Sequence, residues 1–279
     1  MKRFLLLILA FALIKAHAQP FPCTLPACNG TIVNETYSST AGWTNLSSGK
    51  MNIASGSMNY MYAGDVAGPL RMYKHYPAIS ANTNNLYADF WGSFSGNVNH
   101  TYYPLHYLLC LSSNSGEPMS TNNDALFVMI TSTYLVPGTL KFQLAYKDGA
   151  GPVNLSASSI PYPGAGIYYF RVIRSSTNYQ LYVATDPGFT SLIPGAPIHM
   201  YVCDLITDLK FVQHGRYTTD IKRKLGVKID DLKICPYTSG CAFGATPCRV
   251  ASGNGNFTKT DSEIYLYPNP TSVNIFISN

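Results

Sequence analysis

The segment Val227-Lys228-Ile229-Asp230-Asp231-Leu232-Lys233-Ile234 has the apolar alternation of a β-strand, broken once. Successive strand side chains point to opposite faces, so Val227 and Ile229 share one side. Leu232 and Ile234 fall on the opposite phase. The phase slips at Asp230-Asp231, as it does where a bulge inserts one extra residue. The segment reads as the kinked closing strand of a β-sandwich. Its two adjacent carboxylates are either solvated near a turn or held by a partner. A buried carboxylate must be paired, hydrogen-bonded or metal-bound.

Upstream, the pattern is strand after strand from Thr31 onward. Leu86, Ala88, Phe90 and Phe94 alternate with Tyr87, Asp89, Trp91 and Ser93. Leu140, Phe142, Leu144 and Tyr146 alternate with Lys141, Gln143 and Ala145. Ile167 to Arg174 and Tyr179 to Ala184 flank Ser175-Ser176-Thr177-Asn178, a hairpin signature. Leu105 to Leu111 and Ala125 to Thr133 are continuous apolar runs, suited to buried strands. Gly and Pro recur too often for long helices. About two hundred residues of this kind suit one all-β domain, residues 31–235, folded as a two-sheet antiparallel β-sandwich.

The two ends speak to compartment. Lys2 and Arg3, the apolar run Phe4 to Ile14 and Ala16-His17-Ala18 read as a signal peptide over residues 1–18. The alternative is a membrane anchor, but the run is short for a span, and no later run reaches that length. Removing the leader takes away Lys2, Arg3 and Lys15 but no acid, so the formal charge falls from +5 to +2. The one remaining basic run, Lys222-Arg223-Lys224, reads as a solvated loop, and nucleic-acid binding is not expected.

Seven cysteines in an exported chain point to disulfides. Cys23 and Cys28 lie in a Pro-rich opening segment, residues 19–30. Cys235, Cys241 and Cys248 follow the last strand, and Cys110 and Cys203 lie within the domain. The spacings do not suit zinc. One arrangement ties the Cys23/Cys28 segment to the Cys235–Cys248 segment, but spacing does not fix the connectivity. Residues 236–263, with Ser252-Gly253-Asn254-Gly255-Asn256, read as a linker.

Residues 264–279 read as strand, Pro-locked turn and second strand. Tyr267-Pro268-Asn269-Pro270-Thr271 resembles the opening of the C-terminal sorting domain of Bacteroidota type IX secretion. Such domains continue with further strands, so the resemblance implies a tail running on past Asn279. It also implies the type IX machinery as a partner. The destination would be the cell surface or the medium, reached through the periplasm.

A second resemblance covers most of Thr31 to Ile234. Asn34-Glu35-Thr36-Tyr37, Gly42-Trp43 and the closing Ile229-Asp230-Asp231-Leu232-Lys233-Ile234 look like concanavalin A-like jelly rolls, with laminin-G-like and MAM-like members nearest. The resemblance implies a first strand beside the last. It also implies a structural Ca²⁺ held by Glu35 with Asp230 or Asp231, since hard oxygen ligands suit that ion. The other reading is an ordinary pair of edge carboxylates.

Some folds of this kind are glycosidases, which need two carboxylates facing each other across the sugar. Beyond the leader there are three glutamates. Glu117 stands in the turn Ser115-Gly116-Glu117-Pro118, Glu263 in a polar loop after Asp261, and neither they nor Glu35 begin a paired-acid motif. A lyase would use a Tyr/His pair with a cation. His75, His100, His106, His199 and His214 are scattered without a telling spacing. No catalytic residue is therefore assigned. Sparse charge with abundant Tyr, Asn, Ser and Thr suits a non-catalytic module that binds glycans or another cell-surface ligand. Trp91, Tyr102 and Tyr103 are the candidate ligand residues, with packing as their alternative role. The rival readings are a structural or protein-binding module and a polysaccharide hydrolase or lyase.

Overall fold

The computed structural model describes residues 28, 30–60, 70–95, 106–119, 121–132, 140–202, 206–216 and 225–237. The chain divides into two compact units, Met1–Cys248 and Arg249–Asn279, and all described residues belong to the first. The segment read as a signal peptide, Tyr267, Pro268, Asn269, Pro270 and Thr271 of the stretch read as a sorting motif, Tyr102, Tyr103, Cys23, Cys203, Cys241 and Cys248 lie outside the described residues.

In chain order the strands begin with β1 Val33–Glu35, β2 Trp43–Asn45, β3 Met51–Ala54, β4 Ser57–Tyr60, β5 Leu70–His75 and β6 Asn85–Ser95. Next come β7 His106–Ser112, β8 Ala125–Thr131, β9 Lys141–Lys147, β10 Val153–Leu155 and β11 Ile160–Pro161. The last are β12 Gly166–Ser175, β13 Asn178–Ala184, β14 Ile198–Tyr201, β15 Phe211–Arg216 and β16 Gly226–Pro236. A short 3₁₀ turn, Pro77–Asn82, separates β5 from β6.

The strands form two antiparallel sheets of eight. The first runs β14-β13-β12-β6-β16-β4-β3, with β1 also on β16. The second runs β10-β9-β8-β7-β15-β5-β2, with β11 also on β9. Between them lies one apolar core, in which Leu86, Phe90 and Phe94 of β6 and Phe170 and Val172 of β12 meet Val128, Ile130, Phe142 and Leu144 of the second sheet.

The closing strand bulges where the alternation slips. Its pairing with β6 shifts register between Asp230 and Lys233, and Asp231 adopts φ 52°. One extra residue turns Leu232 and Ile234 back to the side of Val227 and Ile229, so all four are buried. The bulge also divides the far edge of β16. β4 pairs with Val227 to Ile229, and β1 with Leu232 to Ile234. First and last strands are thus neighbours, as the resemblance implied.

The hairpin forms with Ser175 opposite Asn178 and Ser176 at φ 55°, the left-handed geometry of a two-residue turn. All seven residues of β7 and of β8 are buried, as continuous apolar runs require. One boundary moves. β16 continues through Pro236, and Tyr237 is buried with its N–H on the Asn85 carbonyl. Residues 236 and 237 therefore belong to the sandwich and not to the linker.

Cys28 and Cys235 form a disulfide, with Cα atoms 5.6 Å apart. It joins the opening segment to the end of β16, one of the pairings that the cysteine distribution left open. Cys110 is a free, buried thiol.

Candidate functional site

The carboxylates expected to hold Ca²⁺ each have other partners among the described residues. Glu35 Oε1 accepts the Tyr37 N–H at 2.9 Å. Its Oε2 accepts the Lys74 ammonium at 2.8 Å, the Trp43 indole N–H at 3.3 Å and the Tyr76 hydroxyl. Burial alone would raise this carboxyl. Hydrogen bonds from Lys74 and Tyr76, with the Lys74 charge, outweigh burial and hold it below the usual value. Asp230 takes the Ser57 hydroxyl at 3.0 Å and the Asp231 N–H at 2.7 Å. Asp231 takes the Trp91 indole N–H at 3.0 Å. No group of three potential metal ligands forms among the described residues. A cation at Glu35 would have to displace an ammonium, so the donor set does not fit Ca²⁺.

Beside Glu35 lies a second buried polar pair. Fully buried His214 donates Nδ1–H to the Leu108 carbonyl, and its Nε2 accepts the Tyr37 hydroxyl at 2.8 Å. A carbonyl only accepts, so Nδ1 carries a proton, and in the neutral ring Nε2 is then the acceptor for the Tyr37 hydroxyl. Burial pushes its pKa down from 6.5 to about 4. Unfolded chains protonate this histidine near 6.5 while the folded chain does not. The unfolded state therefore binds more protons between pH 6.5 and 4, and stability falls as pH drops through that window. The expected loss is about 3 kcal/mol by pH 4. Glu117 and Asp230 are both shifted upward, chiefly by burial, and act in the opposite direction. The readout is therefore a difference. Urea midpoints at pH 7 and 4.5 should separate less in His214→Gln than in the parent. Equal separations would contradict a neutral buried ring.

The two outer faces differ. On the first sheet, Trp91 lies opposite Tyr169 and Asp230, half-buried, with its N–H committed to Asp231. Asp89 fills the Arg171 fork with bonds of 2.8 and 2.6 Å, and Phe189 lies 4.2 Å from that guanidinium. On this face the Trp91 indole is paired with Asp231 and the Arg171 guanidinium with Asp89.

The outer face of the second sheet carries an aromatic strip. β5 alternates, with Leu70 and Met72 in the core and Arg71, Tyr73 and His75 outside. β15 pairs with it in register, placing Phe211 opposite His75 and Gln213 opposite Tyr73. The His75 and Phe211 rings stack with centroids 4.8 Å apart. Tyr73 meets Phe211 edge-on at 6.0 Å. Tyr73 and Phe211 are half-buried and His75 is exposed. The Tyr73 and Phe211 planes are 74° apart and His75 stacks on Phe211, so the three rings form an angled, partly accessible aromatic cluster, against which the apolar side of a sugar can pack.

Residues 113–119 border the strip. Arg71 donates to the Ser115 carbonyl at 2.6 Å, and Gln213 donates to the Asn114 and Gly116 carbonyls at 3.1 and 3.3 Å. Glu117 is not a surface turn residue. It is buried against the Tyr107 hydroxyl and the Met119 N–H, both at 3.4 Å. Position 215 is closed to any side chain, since a Cβ there would lie 2.2 Å from the Leu70 carbonyl oxygen.

None of the strip was among the sequence candidates. The one local signal is the alternation Arg71-Met72-Tyr73-Lys74-His75, which shows an aromatic and basic side without revealing that Phe211 completes it.

Solved structures share this architecture at low identity. The CBM2 module of the evolved Dit of Lactobacillus casei BL23 phage J-1 matches with a TM-score of 0.55 and 11% identity, over 76% of this chain and 97% of that one. An endo-acting O-glycanase structure from the human gut microbiota matches at 0.50 and 7%, over 74% and 99%. The Emp47p carbohydrate recognition domain matches at 0.50 and 9%, over 78% and 99%. The fold is a concanavalin A-like jelly roll. No family model and no curated protein matches the chain.

Proposed function

We propose that the chain is an exported, non-catalytic carbohydrate-binding module whose platform is Tyr73, Phe211 and His75. The observation that carries this reading is the connected ring strip on the outer face of the second sheet. Support comes from the fold, which the chain has in common with a carbohydrate-binding module and a carbohydrate recognition domain. The leader and the Tyr267–Thr271 motif support delivery by type IX secretion to the outer surface or the medium.

A glycan array on the leader-free protein tests the reading. Tyr73→Ala and Phe211→Ala should each weaken binding of the best glycan at least about tenfold, as loss of a buried aromatic anchor does. Trp91→Ala, on the opposite face, should leave it unchanged. An array on which no glycan binds favours the protein-binding rival. Release of reducing sugar or unsaturated uronate would instead reveal an enzyme.

A further inference from the structure

Arg71, at the Tyr73 end of the cluster, keeps donors that no described residue fills. The guanidinium carbon lies 5.5 Å from the Tyr73 ring centre, and one terminal nitrogen bonds the Ser115 carbonyl. No other hydrogen bond and no ion pair to this guanidinium occurs among the described residues. The contrast with Arg171 is direct. That side chain also lies against a ring, and Asp89 occupies its fork. The acid near Arg71 is Glu117, whose carboxyl feels the Arg71 charge but gives its oxygens to Tyr107 and Met119 and forms no ion pair with the guanidinium. Opposite Tyr73, the Oε1 of fully buried Gln213 meets no donor among the described residues. At the far end of the strip stands exposed His75.

A half-buried guanidinium with most of its N–H groups unfilled fits a planar or tetrahedral oxyanion, which it binds through parallel hydrogen bonds. Beside a ring platform, that oxyanion belongs on a sugar. Resting on the carbohydrate reading above, we propose that the ligand is an acidic saccharide. Its pyranose packs into the angle between the Tyr73 and Phe211 rings, and its carboxylate or sulfate pairs with Arg71. A neutral sugar would leave the guanidinium donors to water.

Titration calorimetry on the full chain without its leader tests this with four probes. These are tetragalacturonate, its methyl ester, a sulfated galactose tetrasaccharide and its desulfated form. At least one acidic probe should bind about tenfold or more tighter than its neutral partner, the scale of a charge-assisted pair. Which of the two does so separates carboxylate from sulfate. Arg71→Gln should bring that ratio to about one, and added salt should shrink it in the parent. Equal binding of each acidic probe and its neutral partner would overturn the acidic assignment while leaving the platform standing. So would a preference that survives Arg71→Gln. Failure of all four probes would remove both readings if the array is also blank, and would overturn the acidic assignment alone if the array's best glycan is neutral. If Arg71→Gln melts well below the parent, the acid-to-neutral ratio of the parent protein and its salt dependence decide.

Discussion

Replacing Cys28 and Cys235 together by serine is expected to lower stability by about 5 kcal/mol, the chain-entropy value for so long a loop. The bond spans 207 positions and so closes almost the whole sandwich into one ring. It removes freedom from the unfolded chain more than it adds contact to the folded one. It also lies in a small apolar cluster on the outer side of the first sheet, with Tyr87, Ile173 and Tyr237. For a domain of this size the melting temperature should fall by roughly 10–20 °C. Reducing agent should lower the parent's melting temperature by at least as much as the double substitution does, and should move the variant less than the parent. A parent indifferent to reductant would mean that the bond is not formed in solution.

Lys74→Met should cost about 3 kcal/mol, the lower end for breaking a buried pair, because part of the ammonium reaches solvent. The Glu35 side chain is 8% exposed and the Lys74 side chain 24%. Without the ammonium, Glu35 keeps its three other donors but no countercharge. Its carboxyl should then rise toward protonation, so the penalty should shrink in acid. Glu35→Gln added to Lys74→Met should recover part of the loss, since no buried charge remains. The same geometry bears on calcium. With Lys74 in place, melting curves in chelator and in millimolar Ca²⁺ should superimpose. A Ca²⁺-dependent rise that Glu35→Gln abolishes would restore the ion that the family resemblance implied.

These two cases show what a linear sequence carries. The bulge was legible because a phase slip between Ile229 and Leu232 is local, and apolar spacing alone exposes it. The buried β7 and β8, and the hairpin at Ser176-Thr177, were legible for the same reason. Glu35 was recognisable as a special acid, but its partner was not. Lys74 lies 39 positions away, on a strand of the other sheet, and only the packing of one sheet on the other brings it to Glu35. The platform was hidden for a related reason. Tyr73 and His75 become a surface only when β15 aligns Phe211 beside them, and register between distant strands is set by the whole core. Trp91 drew notice by residue type, yet its indole N–H is held by Asp231, the second residue of the bulge pair.

A crystal structure of the leader-free protein with the best array glycan measures the central assignment directly. The sugar ring should lie on Tyr73 and Phe211, within about 4 Å of their carbons, the distance of apolar contact. A sugar resting on Trp91 and Tyr169 of the opposite face, with Tyr73 and Phe211 bare, would contradict it.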